Sequence, residues 1–188
     1  PVMIEPRIYL ASRSPRRREL LTQIGVRFDL LMFRGGTRED QEVSEDCLPG
    51  ESPEAYVVRV ARAKARFGAD LLKRRPLVQH PVLAADTTLD VDGEVIAKPR
   101  DTAHAEAILA RLSGRGHRVL TAVALARGDR LEHRLSISEV RFRSLAADEI
   151  RRYVQTGDPM DKAGAYGIQG RAAIFVESIN GSHSGIVG

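Results

Sequence analysis

Three consecutive arginines, Arg16-Arg17-Arg18, follow the short polar turn Ala11-Ser12-Arg13-Ser14-Pro15. Clustered guanidiniums grip anionic oxygens through paired, charge-assisted hydrogen bonds. A second polar group, Asp86-Thr87-Thr88, interrupts the apolar run Pro81-Val82-Leu83-Ala84-Ala85. A carboxylate at the end of a central strand is costly to bury without a cationic partner or a metal. The plainer alternative is that Asp86 caps the loop after its strand. A third stretch, Asp161-Lys162-Ala163-Gly164-Ala165-Tyr166-Gly167-Ile168-Gln169-Gly170, holds three glycines in seven residues, a sign of close backbone approach or positive φ. The five histidines show no zinc-like spacing, and Cys47 is the single cysteine, so neither a disulfide framework nor a Cys-rich zinc site is encoded. A Gly-x-x-x-x-Gly-Lys-Ser/Thr phosphate loop is also absent.

The elements that must position these residues are legible as periodicity and punctuation. Ile8-Tyr9-Leu10-Ala11 reads as a strand, and Glu19 to Gly25 as a helix closed by glycine. Pro15 suits the first helical position, with Ser12 or Ser14 as the capping hydroxyl. The arginines therefore stand at a helix N-terminus, where free N–H groups and the helix dipole already favour an anion such as a polyphosphate. A solvated basic helix start explains the same residues equally well. Val26 to Phe33 reads as a second strand, and the acidic segment Thr37 to Gly50 as a surface loop. Ser52 as N-cap, Pro53 and Glu54 open a helix whose buried stripe is predicted as Tyr56, Val60, Ala63 and Phe67. Lys64, on the edge of that stripe, either snorkels outward or points into a cleft.

Asp92-Gly93 signals a hairpin, so Asp86 and Lys98 bracket it. Helices are predicted from Asp101 or Thr102 to Gly114, and from Ser144 or Leu145 to Gly157, with strands between. In the strand after Gly128-Asp129, residues Leu131, His133, Leu135 and Ile137 share one parity and Val140 and Phe142 the other. That switch predicts a bulge near Ser138-Glu139. Asn180-Gly181 reads as a hairpin turn, with a last strand running to Gly188. The alternation of helices and strands, with hairpins inserted, predicts an α/β fold on a mixed sheet.

The length of 188 residues suits one domain, with room for two lobes, and 43% hydrophobic content supports a real interior. An aromatic share of 5% without Trp argues against a base-stacking platform, and a net charge of +4 is small for a chain that coats nucleic acid. No apolar run is long enough to span a membrane and no signal-peptide h-region is seen, so a cytoplasmic protein is expected.

These residues resemble the Maf family of nucleoside triphosphate pyrophosphatases. The motifs are Leu10-Ala11-Ser12-x-Ser14-Pro15-Arg16-Arg17, Ala85-Asp86-Thr87, Asp92-Gly93-Glu94, Lys98-Pro99, Leu112-Ser113-Gly114 with His117, and the run from Asp161 to Gly170. Their order and spacing span essentially the whole chain, and Ala-Tyr-Gly-Ile-Gln-Gly is similar to the branch acting on dTTP and UTP. The resemblance implies one domain over 1–188 with an inosine-triphosphatase-like fold: an elongated mixed sheet flanked by helices, two lobes and a central cleft. It also implies that the family continues beyond the Val-Gly at this chain's end, with a Leu-Pro and a terminal helix.

The implied reaction cleaves between the α and β phosphates of dTTP or UTP, modified pyrimidine nucleotides included, giving the monophosphate and pyrophosphate. A non-catalytic nucleotide-binding regulator of septum formation is the alternative. Asp86 is the implied proton acceptor. An ordinary aspartate is a feeble base toward free water, and a divalent Mg²⁺ or Mn²⁺ removes that difficulty by acidifying bound water. Asp86 is thus expected to meet the metal as well, with Glu39 the nearest equivalent of the family's acidic segment. Ser12, Arg16, Arg17, Lys64 and Lys98 are the expected phosphate ligands, and Arg16, Thr87 and Gln169 match the specificity positions. Without the resemblance, Gln169 reads as a tie for its own loop. The nucleotide is the only partner implied, with no nucleic acid and no membrane, and a homodimer is compatible with it.

Overall fold

The computed structural model describes residues 7–31 and 43–188, and among these a mixed sheet of seven strands organises the chain. The strands are β1 (Arg7–Leu10), β2 (Arg27–Leu30), β3 (Val82–Val91), β4 (Glu94–Ile96), β5 (Gly116–Arg127), β6 (Arg130–Phe142) and β7 (Val176–Asn180). The helices are α1 (Pro15–Gln23), α2 (Pro53–Arg74), α3 (Thr102–Leu112), α4 (Ala147–Gln155) and α5 (His183–Val187). Sheet order is β2-β1-β3-β5-β6-β7, with β4 paired to β3 alone. The β1 strand is parallel to both β2 and β3, and the remaining pairs are antiparallel. This is the mixed, helix-flanked α/β sheet expected from the sequence.

The edge of β3 away from β5 decides where a site can form. At its start β1 pairs with Val82 and Leu83, and at its end β4 pairs with Leu89, Asp90 and Val91. Between them, residues 84–88 have no strand partner on that edge among the described residues. The β1 chain leaves the sheet just beyond Leu10 and the β4 chain just beyond Ile96, so both turns open onto the gap beside Asp86. A break of this kind at the carboxyl end of a parallel strand is where open α/β sheets bind ligands.

Two apolar cores lie on opposite faces of the sheet. One joins Val82, Ala84, Leu120, Ala122, Ala124 and Ala126 to Val57, Val60, Ala61 and Ala65 of α2. The other joins Leu89, Val91, Val119, Val140 and Phe142 to α3 and α4. Side chains alternate along a strand, so Val82, Ala84 and Asp86 face α2 while Thr87, Leu89 and Val91 face the second core.

The same geometry removes the predicted bulge. The β5–β6 register runs unbroken from Gly116↔Arg141 to Arg127↔Arg130. Parity changes because the covered face changes: Leu131 and Leu135 pack on the α2 core, and Val140 and Phe142 belong to the other. The register shift found in this region lies at Arg141/Phe142, against β7. Two further expectations are corrected. The strand does not end at Asp86, because β5 pairs with β3 from Val82 to Asp90 and carries it through the polar residues. The final segment is helical rather than extended, since Ser182 Oγ accepts from Gly185 N at 3.0 Å and caps α5.

Helix α2 begins as predicted, with Ser52 Oγ accepting from Ala55 N at 3.2 Å and Pro53 in the first turn. Its buried stripe is Tyr56, Val57, Val60, Ala61, Ala65, Ala69 and Leu72. Ala63 and Phe67 are only half-buried.

Candidate active site

The turn after β1 is built around Ser12. Its Oγ accepts from Ser14 N at 3.2 Å and from Arg17 Nη1 at 3.0 Å. Ser14 occupies the N-cap position of α1, but its own hydroxyl makes no capping bond and is buried with no partner among the described groups. Arg17 is more enclosed than a free phosphate ligand would be. Its Nε donates to the Gly188 carbonyl at 2.9 Å and its Nη2 reaches Thr87 Oγ1 at 3.5 Å. One guanidinium thereby ties the α1 turn, β3 and the end of α5 together, and the planar fork is what allows three directions at once. Burial draws its pKa down, against the pull of the Asp86 charge.

Lys64 resolves its two readings by pointing inward. Its Nζ lies 3.1 Å from Asp86 Oδ1 and 2.7 Å from Glu45 Oε1. Asp86 is buried, with 8% of its surface exposed. Burial raises its pKa, and the facing Lys64 ammonium opposes that rise without cancelling it. At the more open Glu45 burial also works upward, but the Lys64 charge and hydrogen bond prevail and hold its carboxyl below the usual range. Tyr56, one turn into α2, donates from its hydroxyl to the Glu45 carbonyl at 2.7 Å and pins that backbone.

Sequence reasoning missed Glu45 and chose Glu39, which lies outside the described residues. The only signal available was reach. From Ser52 back to Glu45 an extended chain covers about 23 Å, enough to span the roughly 18 Å of helix from Ser52 to Lys64. Glu42 and Asp46 pass the same test.

These groups wall a cleft of about 730 Å³. Ser12, Arg16, Arg17, Lys64, Asp86 and Lys98 all line it, as do Glu45 and Thr87. A smaller cavity of about 60 Å³ opens on the other face of β3 and is lined by Arg16, Arg17, Thr87, Lys162 and Gln169, with Leu89, Val119 and Ile186 as apolar wall. Arg16, Arg17 and Thr87 border both spaces, and Gln169 borders the smaller one alone. Every site residue expected from the sequence and described in the structure is therefore on one of two adjoining walls. Among the described residues no group of three or more His, Cys, Asp or Glu side chains is placed to hold a metal. Two carboxylates, Asp86 and Glu45, nevertheless converge on one cation, the Lys64 ammonium.

The histidines are dispersed: His133 contacts Arg62, His104 accepts from Arg100 N, His80 stacks near Tyr9, and His117 lies in the core. Among the described residues, no helix is long and apolar enough to cross a membrane.

A mixed sheet broken beside a buried aspartate opens a cleft lined by Arg16, Arg17, Lys64 and Lys98 with a second, smaller cavity next to it, an α/β architecture suited to an anionic ligand. Residues 7–188 match the family described as Maf-like protein, and the chain belongs to that family. It is 63% identical to a protein of Aromatoleum aromaticum named dTTP/UTP pyrophosphatase, over 98% of this chain and 90% of that one. A protein of Dechloromonas aromatica with the same name is 59% identical over 97% of this chain and 90% of its own length. A solved structure titled the Staphylococcus aureus Ham1 protein aligns with a TM-score of 0.48 and 19% identity, over 75% of this chain and 72% of that one.

Proposed function

We propose that this chain hydrolyses dTTP and UTP to the nucleoside monophosphate and pyrophosphate. The observation that carries the reading is Asp86, a buried carboxylate held at 3.1 Å by Lys64 on the wall of a cleft that Arg16, Arg17 and Lys98 also line. A protein that only binds phosphates gains nothing from a carboxylate set against them, since like charges repel. A hydrolase needs one to take the proton of the attacking water.

In this reading the triphosphate lies in the large cleft and the base in the small cavity. Water attacks the α phosphorus, its proton passes to Asp86, and the bond from the α phosphorus to the bridging oxygen breaks. The electron pair leaves with pyrophosphate. Arg16, Lys98 and the first N–H groups of α1 face the charge that accumulates on the leaving group, stabilisation that matters most where charge develops. Arg17 holds Ser12 and Thr87 in register between the two spaces. Lys64 opposes the burial that favours the protonated form of Asp86.

The donor set suits a hard divalent cation such as Mg²⁺ or Mn²⁺, because one or two carboxylates completed by substrate oxygens are the usual arrangement. Asp86 and Glu45 are the residues to hold it. When bound it would acidify a water molecule and offset phosphate charge.

Base choice falls to Gln169, whose amide offers one donor face and one acceptor face to a ring edge. A thymine or uracil edge matches when a backbone N–H of Ile168 or Gln169 donates to O4, where cytosine would present a clashing donor. The test is pyrophosphate release from dTTP, UTP, CTP, GTP, 7-methyl-GTP and ITP with Mg²⁺ or Mn²⁺. Higher kcat/KM on dTTP and UTP than on the other four is expected; a tenfold lead by CTP or a purine would remove this account of the pocket.

A further inference from the structure

His117 is almost fully buried, with 4% of its surface exposed, and lines neither cavity. Its Nε2 lies 2.6 Å from the Tyr166 hydroxyl, while Nδ1 is buried with no partner among the described groups. The imidazole stands edge-on to Phe142, with centroids 5.1 Å apart at 90°, and to Tyr166, at 5.5 Å and 81°. Phe142 and Tyr166 also meet each other at 4.8 Å. An aromatic side chain would fill this box without leaving a nitrogen unmet, and such unmet buried groups persist where the other end of the ring has a task. Burial, followed by the Arg115 charge, draws the His117 pKa down to about 4, so the ring is neutral under working conditions and carries one N–H. It meets Tyr166 either as donor or as acceptor, and the hydroxyl can answer both.

Tyr166 opens the segment Gly167-Ile168-Gln169 that borders the small cavity. The opposite side of that segment is also fixed. Gly167 packs on the Lys162 stem so closely that a Cβ there would come within 2.8 Å of Lys162 Cε. Lys162 is itself anchored, its Nζ donating to the Asp158 carbonyl at 2.8 Å and to Asp161 Oδ1 at 2.9 Å. The segment is therefore held between the Tyr166 hydroxyl on one side and Lys162 on the other.

We propose that His117 is a positioning residue for base selection, acting through the Tyr166 hydroxyl to set where Gln169 stands in the small cavity. This rests on Gln169 reading the base. A packing residue would lower stability or slow every nucleotide alike. A positioning residue instead changes the ratio between bases and acts on KM more than on kcat.

The variants His117→Phe, which keeps an aromatic ring, and Tyr166→Phe, which removes a single oxygen, break the bond from either side. Each is expected to reduce the dTTP-to-CTP ratio of kcat/KM by about tenfold, mainly through KM for dTTP. The double variant is expected to lose no more than either single one, the mark of residues acting as a unit. His117→Gln, whose amide can reach the hydroxyl, should restore most of the ratio. Thermal melting confirms that each variant is folded. An unchanged ratio in both Phe variants, or an equal fall in kcat for all nucleotides, overturns the proposal while leaving the assignment of Gln169 intact. A wild-type protein with no preference between dTTP and CTP overturns both.

Discussion

At the residue scale, the role proposed for Asp86 implies a compromise between stability and function. Burial raises its pKa, so the folded state holds its proton to higher pH than the unfolded chain does. Between the unfolded value, about 3.9, and the raised folded value, the unfolded chain binds fewer protons and stability falls as pH rises. At neutral pH the ionised carboxylate therefore detracts from stability, although Lys64 softens the cost. Asp86→Asn should melt no lower than the wild type at pH 7 while losing a hundredfold or more in turnover, in line with removal of an acid–base group. Calorimetry and pyrophosphate release on the same samples check both halves. A variant that is inactive only because it melts far earlier would assign Asp86 a structural role. The sequence exposed Asp86 because a carboxylate in an apolar run is conspicuous. It concealed Glu45, which is one acid among several in a polar stretch and acquires meaning only when Tyr56 and Lys64 receive it.

At the element scale, the segment after α4 places Gln169, and Gly164 is its tightest point. Gly164 sits at φ +74°, and a Cβ there would strike the Leu89 side chain. Its N–H also donates to the Ala97 carbonyl at 3.2 Å, joining this segment to the chain that carries Lys98. Gly164→Ala combines a left-handed backbone with overpacking, which together cost about 2–4 kcal/mol. In a chain of this size that corresponds to a melting point lower by roughly 5–15 °C, measurable by circular dichroism. A shift under 2 °C would show that the segment can relax around the new methyl group. The three-glycine spacing announced this close approach in advance. By contrast, the continuation of β3 through Asp86 and the helical form of α5 were not legible. The first depends on pairing with β5, and the second on a serine cap that outweighs a hairpin dipeptide. The parity change in β6 was visible but misread, because a lone strand does not reveal that two cores cover opposite faces of its two halves.

At the scale of the whole molecule, the proposed function has the two cores hold the two ends of one substrate. The α2 core presents Lys64 and Asp86 to the large cleft, and the second core presents Gln169 to the small cavity. Arg17 links them through Ser12, Thr87 and the Gly188 carbonyl. That division of labour was legible in outline, since the motifs fall in separate stretches of chain, but their convergence required the gap on β3 between β1 and β4. The proposed hydrolysis requires water to attack the α phosphorus. Hydrolysis of dTTP in ¹⁸O-labelled water, with the products resolved by mass spectrometry, tests this most directly. The expected result is dTMP carrying one ¹⁸O and unlabelled pyrophosphate. Label in pyrophosphate, or release of dTDP and inorganic phosphate, would contradict it.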